Sequence, residues 1–328
     1  MVLSFFAQAQ VVNQQTNQHV LDEISQILEQ EYVLTDNIPT IVKALKQLGA
    51  SESFQKIKTS QELADSIKHT LQKFDGHLSI TWQNPNAPKN STVQKEGWFT
   101  KLSRKNGGFN KIEVLEGNIG YIDFWGFDHV NQRTRKKVVS MMALLEDTDA
   151  LIIDLRNNGG GDPEMIQLIT SYFFDKPVHL NSFESRKKGR IAEFWTTPKV
   201  DGKKRLNTPI YLLTSDKTFS AAEEFAYNLK HLKRAKIIGE PTKGGANPVH
   251  YFNIEGQFRA SIPTAMAVNP ITGSNWEGVG VQPDIKIPAK GALNLAYKLA
   301  LEQVNATVDN AYQQAEIKEQ LSTFADKD

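Results

Sequence analysis

The sequence predicts an α/β protein in which a small helical domain precedes a core of alternating strands and helices. Three observations carry this reading. Apolar residues recur at helical spacing between about residues 17 and 75, short apolar strands alternate with helices from about residue 114, and no internal repeat interrupts either pattern.

Val20, Ile24, Ile27 and Leu28 fall on one helical face, as do Ile41, Val42, Leu45 and Leu48, then Leu63, Ile67 and Leu71. Asp36-Asn37 and Thr59-Ser60 punctuate these helices as turn or cap signals. A polar stretch with Asn and Pro, 83–91, reads as a loop. In the core, 119–124, 150–155, 209–214 and 236–239 read as strands, and 150–155 is apolar enough to be buried on both faces. Helices are expected around 138–145, 163–174, 220–232 and 293–304, and the basic, turn-rich span 185–205 reads as an excursion from the core. Residues 251–254 and 258–262 flank Glu255-Gly256-Gln257 as a hairpin. The expected organisation is therefore a leader remnant or disordered start (1–16), a helical domain (17–85), a connector (86–113), a core (114–306) and an exposed polar tail (307–328).

Composition excludes several classes of function. Of 328 residues, 40% are hydrophobic and 23% charged, and 38 basic residues against 37 acidic leave a net charge of +1. Nucleic-acid or membrane-surface binding would need a basic excess on one face, so neither partner is expected. The cluster Arg133, Arg135, Lys136, Lys137 reads as the solvated start of a helix. The absence of cysteine removes disulfides, thiolate nucleophiles and Cys-ligated metals; no cofactor box or metal cluster is legible. No apolar run approaches the roughly 20 residues that span a bilayer. The start, with Ala7-Gln8-Ala9, resembles the end of a signal peptide and points to a periplasmic or secreted protein, although it lacks a basic first segment and leaves a cytoplasmic one open.

Chemistry concentrates at three places. Asp154-Leu-Arg-Asn-Asn-Gly-Gly-Gly161 lies between a buried strand and a helix, where consecutive glycines can turn backbone N–H groups towards a cavity. A phosphate cradle is disfavoured: no Lys-Ser/Thr pair follows, and Asp162 and Glu164 put negative charge where the anion would sit. A tight turn and an oxyanion-stabilising loop both remain open. Thr218-Phe219-Ser220-Ala221-Ala222-Glu223 lies between a strand and a helix; Ser220 and Glu223 form a capping box, yet the same position presents a serine hydroxyl and the Ala221 amide at the sheet's edge. Flanking residues differ from the Gly-x-Ser-x-Gly elbow. Trp276-Glu277-Gly-Val-Gly-Val-Gln-Pro-Asp284 is either a simple loop or the seat of a carboxylate beside a catalytic base.

Taken in order, Asp-Leu-Arg-x-Asn-x-Gly-Gly, Phe-Ser-Ala-Ala-Glu-Glu, Ile-Gly-Glu-Pro-Thr and Glu-Gly-Val-Gly-Val-x-Pro-Asp resemble the carboxyl-terminal processing (tail-specific) serine peptidases. The resemblance runs from about residue 17 to 303 and is nearest the branch holding the interphotoreceptor retinoid-binding protein repeats and the tricorn protease core. It implies a Clp protease/crotonase-like core of ββα units, no cofactor, and a peptide or unfolded protein as substrate. Many relatives carry a lysine base where Gly245 stands here, and Lys243 is a weak substitute. The tricorn-like arrangement instead matches His77 as base and Glu277 as the carboxylate orienting it, with Gly76 where that arrangement has a bridging serine. His250 is the fallback among the other six histidines. The resemblance therefore implies Ser220 as nucleophile, His77 and Glu277 as its partners, and the Gly160 and Ala221 amides as oxyanion hole; Arg156 reads as structural. The span between Ile80 and Ile119 is too short for an inserted PDZ domain. A carrier of apolar ligands on the same fold is the alternative function, and oligomeric state stays unread.

Overall fold

A computed structural model describes residues 12–85, 96–254 and 257–325; Ala7-Gln8-Ala9 lies outside them, whereas the end of the 1–16 segment read as leader or disordered is described and turns helical from Gln14. The chain forms two compact units. Unit one draws on the described residues up to 85 and those within 183–191 and 247–267; unit two draws on 96–182, 192–246 and those from 268 onward.

Unit one opens with helices α1 (Gln14–Glu31), α2 (Ile38–Gly49), α3 (Glu52–Gln55) and α4 (Ser60–Leu71) and the strand β1 (Ser79–Trp82). Asn13 accepts the Thr16 N–H at 2.8 Å to start α1, and Thr59 and Glu62 cap α4 reciprocally, satisfying donors that a helix start leaves without partners. Val20, Ile24, Leu28, Ile41, Leu45, Leu63, Ile67 and Leu71 meet in one core, as their spacing predicts. That core is closed by strands from far along the chain: β9 (Val249–Ile254) and β10 (Phe258–Pro263) pair antiparallel, and β10 pairs with β1. The hairpin expected in the core sheet thus belongs to unit one, because Ile254, Phe258, Ala260 and Ile262 are apolar partners for Leu78 and Ile80. Its turn, Glu255-Gly256, lies outside the described residues.

The span read as an excursion starts at the last residue of β5 (His179–Ser185) and contains β6 (Gly189–Trp195); the tip joining the two strands counts with unit one. There the Arg186 guanidinium donates to the carbonyls of Tyr32 (3.3 Å) and Glu29 (3.1 Å), and Lys187 pairs with Glu31.

Unit two holds α5 (Trp98–Arg104), β2 (Phe109–Leu115), β3 (Ile119–Phe124), α6 (Gln132–Leu144), β4 (Ala150–Asp154), α7 (Pro163–Thr170), β7 (Ile210–Thr214), α8 (Ala221–His231) and β8 (Lys236–Gly239). After β11 (Ala265–Val268), at the unit boundary, come β12 (Ile285–Lys286), α9 (Ala289–Asn305) and α10 (Ala311–Ala325). One six-stranded sheet in the order β12–β8–β7–β4–β3–β2 is parallel except for β2, confirming the mixed α/β class. Every residue of β4 and β7 is buried, as expected of central strands covered on both faces. Ala292, Ala296 and Ala300 of α9 repeat every four residues and bring that helix onto Ile119, Ile152, Leu213 and Ile238. Two expectations need correction. The connector contains α5 and β2, and the tail expected to be exposed forms α10, whose Ile317 is fully buried in the α9 cluster.

Candidate active site

Parallel strands deliver their following loops to one edge of the sheet, where sites in such folds form. Two of these loops, after β4 and β7, are tied together. The Thr218 hydroxyl donates to the Leu155 carbonyl (2.8 Å) and accepts the Ser215 N–H (3.0 Å), while the Phe219 N–H donates to the Asn158 carbonyl (3.0 Å). Ser220 follows at the start of α8 with φ +56° and ψ −123°. A residue with a Cβ in this region stores about 1–3 kcal/mol and persists only where its surroundings over-determine it.

Glu223 supplies much of that determination. Its fully buried carboxylate accepts the N–H of Ser220 (2.9 Å), the Thr242 hydroxyl (2.5 Å) and the N–H groups of Gly244 (2.6 Å) and Gly245 (2.8 Å). Burial pushes its pKa up to about 7 against those four donors. Glu223 therefore fills its place in the expected capping box and doubles as a brace between the serine and the 242–245 segment. Neighbouring Glu224 is also buried, pushed up to about 8 by desolvation, with Asn181 and Asn228 beside it.

Gly160 faces the serine. With φ +89°, it leaves room where a Cβ would sit 2.7 Å from the Phe219 carbonyl oxygen and 2.9 Å from both the Ala221 nitrogen and Ser220 Cβ. Only glycine fits this approach. Its N–H donates to Oδ1 of Asn158 (2.9 Å), whose amide nitrogen donates to the Phe124 carbonyl (2.9 Å). The amide expected to serve an oxyanion is thus engaged by a side chain, and it must exchange that partner to serve one. Ala221 is the first residue of α8, a position whose N–H has no acceptor within the helix.

Glu277 also lies in unit two. Its Oε2 accepts the Ala246 N–H at 2.7 Å, one residue beyond the segment that Glu223 holds, and the buried Trp276 indole donates to the Gly245 carbonyl (2.9 Å). Lys243 is exposed, with its ammonium 4.7 Å from the Phe219 ring centroid. Arg156 holds Asp154 through its Nε (2.9 Å) and Nη2 (2.5 Å), the structural role expected of it.

His77 belongs to unit one, in the turn between α4 and β1. Its N–H donates to Oδ1 of Asp75 (2.7 Å), and its Nδ1 lies 3.9 Å from that oxygen. The Tyr32 hydroxyl donates to the other oxygen (3.0 Å). His250 sits exposed on β9, its ring edge-on to Phe252. Asp75 and Asn158 were not singled out from sequence, and Glu223 was read only as a helix cap. The Asp-x-His step, in which a carboxylate caps the N–H two residues on, was the available signal for Asp75. Among the described residues, neither unit gathers three His, Asp or Glu ligand atoms of its own into a metal site.

A strained serine at a helix start thus stands against a glycine at the edge of the parallel sheet of an α/β protein. The chain belongs to peptidase family S41, whose model matches residues 118–287, and the N-terminal domain of peptidase S41 in eukaryotic IRBP matches residues 7–105. It is 31% identical over 175 residues to carboxyl-terminal-processing peptidase 2, chloroplastic, of Arabidopsis thaliana, covering 52% of this chain and 32% of that one. A "Probable CtpA-like serine protease" of Staphylococcus aureus (strain N315) is 25% identical over 237 residues, covering 71% and 45%. The chain thus spans about a third to under half the length of these relatives. Among solved structures, mature CPAF shares the fold with a TM-score of 0.63 at 14% identity, covering 89% of this chain and 99% of that one. The tricorn protease does so with a TM-score of 0.53 at 16% identity, covering 89% and 37%.

Proposed function

We propose that the protein is a serine peptidase that cleaves peptide or unfolded protein substrates through an acyl-enzyme. Ser220 Oγ attacks the peptide carbonyl, and His77 takes its proton and returns it to the leaving amine, while Glu277 orients the imidazole and stabilises its charged form. The Ala221 amide, with that of Gly160 once released from Asn158, carries the developing oxyanion. One observation carries the reading. Ser220 is held in a strained backbone conformation against a glycine whose missing Cβ leaves space beside its own Cβ. A capping serine needs neither feature. Membership of family S41 supports it, and no step calls for a cofactor. Export to the periplasm or beyond is part of the proposal and rests on Ala7-Gln8-Ala9.

A fluorophosphonate probe tests the nucleophile. Label should map to Ser220, and Ser220→Ala should abolish both labelling and peptide hydrolysis. Folded protein without label would leave the carrier of apolar ligands as the better reading. For the base, His77→Ala should cost about 10²–10⁴ in rate, whereas Lys243→Ala should cost little. The reverse result on a peptide library would move the role to the lysine.

A further inference from the structure

We infer that Asp75 is a positioning residue for His77, keeping the imidazole proton on Nδ1 and leaving Nε2 as the basic nitrogen. The inference rests on the proposal that His77 is the base. It identifies a carboxylate on the same turn as the histidine, in addition to Glu277.

The Asp75 side chain is fully enclosed. A buried carboxylate is costly unless donors or a cation compensate it. Two neutral donors do so in part: the His77 N–H on Oδ1 and the Tyr32 hydroxyl on Oδ2. The oxygen that caps the backbone is also the one 3.9 Å from Nδ1, and the His77 side chain is itself only 12% exposed. Among the described residues of unit one, the chargeable cation at ion-pair distance from Asp75 is this imidazole.

The geometry follows from the local sequence. In Asp75-Gly76-His77 a two-residue step folds the carboxylate back onto the His77 N–H, which brings the ring over the same oxygen. Tyr32, fully buried at the end of α1, holds the second oxygen and so limits rotation of the carboxylate. At 3.9 Å the carboxylate acts on the ring through its charge rather than through a hydrogen bond, and a negative charge beside Nδ1 favours the tautomer with the proton there and the lone pair on Nε2. When Nε2 takes a proton, the adjacent negative charge stabilises the imidazolium. Glu277 spends one oxygen on the Ala246 N–H in unit two, whereas Asp75 is two residues from the histidine it serves. The missing bridging serine at Gly76 is then no obstacle to orienting the ring.

A purely structural role, capping the His77 N–H, would be met equally by asparagine. Asp75→Asn keeps an oxygen for that N–H and removes the charge. In the full chain it should lower kcat/KM by about 10–10³-fold and move the acid limb of the pH–rate profile to lower pH. Tyr32→Phe is the second variant, for use if Asp75→Asn melts too low to assay. It strips a donor from the carboxylate, leaves more negative charge facing the ring, and should move the acid limb to higher pH. An Asp75→Asn protein with wild-type rate and acid limb, or an unmoved limb in Tyr32→Phe, overturns the inference while His77→Ala stays inactive. An active His77→Ala overturns the base assignment itself, and this role with it.

Discussion

At the scale of single residues, the site is governed by close approaches that only particular side chains permit. Gly160 is the clearest case. Its φ of +89° and a Cβ position 2.7 Å from the Phe219 carbonyl oxygen mean that Gly160→Ala must push the 219–221 elbow away. We expect that variant to fold but to lose about 10²–10³ in kcat, with peptide KM changed far less. Equal losses in both constants would show that the loop binds substrate rather than the transition state. Asn158 has the opposite role, since its side chain occupies the Gly160 N–H at 2.9 Å. Such restraints were not legible in the sequence. Three glycines announce a turn with freedom to take positive φ, but which of them meets the serine depends on how two loops pack. The motif order did mark Ser220, Gly160 and Ala221, and these three lie within contact of one another. His77 was marked as well, yet its neighbour Asp75 was overlooked, because an acidic residue before Gly-His reads as an ordinary turn former.

Helix α8 concentrates the electrostatics of the element scale. Two carboxylates in its first turn are buried, and both are pushed up, Glu223 to about 7 and Glu224 to about 8. Glu223 has four donors and braces the elbow. Glu224 is enclosed beside Asn181 and Asn228, and nearby Asp162 adds to its shift. Its folded pKa stands above the unfolded value of 4.5, so between these limits the folded state binds the extra proton. Its contribution to stability is therefore full below about pH 4.5 and declines as pH rises towards 8. Thermal melts of the wild type should drop across that window, and Glu224→Gln, which cannot ionise, should flatten the drop. An identical pH slope in both proteins would contradict the buried state of this group. Sequence periodicity gave α8 its place, since a Ser-x-x-Glu start and a following apolar face are local signals. It could not separate the two glutamates, because burial of a charge is set by what packs over the helix.

For the whole molecule, the instructive feature is that unit one is not contiguous. Helices α1, α2 and α4 were readable from spacing alone, because each carries its own 3.6-residue pattern, whereas the four residues of α3 are too few to show one. The hairpin β9–β10 also showed its alternation, but strand alternation names a buried face and not the sheet that covers it. Its pairing joins Ser79 to Ser261 and Trp82 to Phe258, across more than half the chain. Ile254, Phe258, Ala260 and Ile262 complete the core begun by residues 20–80, each of them at most 4% exposed. Removing them would uncover the face of β1 and the apolar stripes of α1 and α4 together. At roughly 1.5–3 kcal/mol for each large apolar side chain returned to water, the loss rivals the 5–15 kcal/mol that holds a typical domain. A fragment ending at residue 95 should therefore be largely unfolded at 25 °C, with collapsed amide dispersion and rapid proteolysis. Adding residues 247–267 through a flexible linker should restore cooperative melting. A cooperatively folded 1–95 fragment would mean that the helices suffice by themselves and that the late hairpin only decorates them.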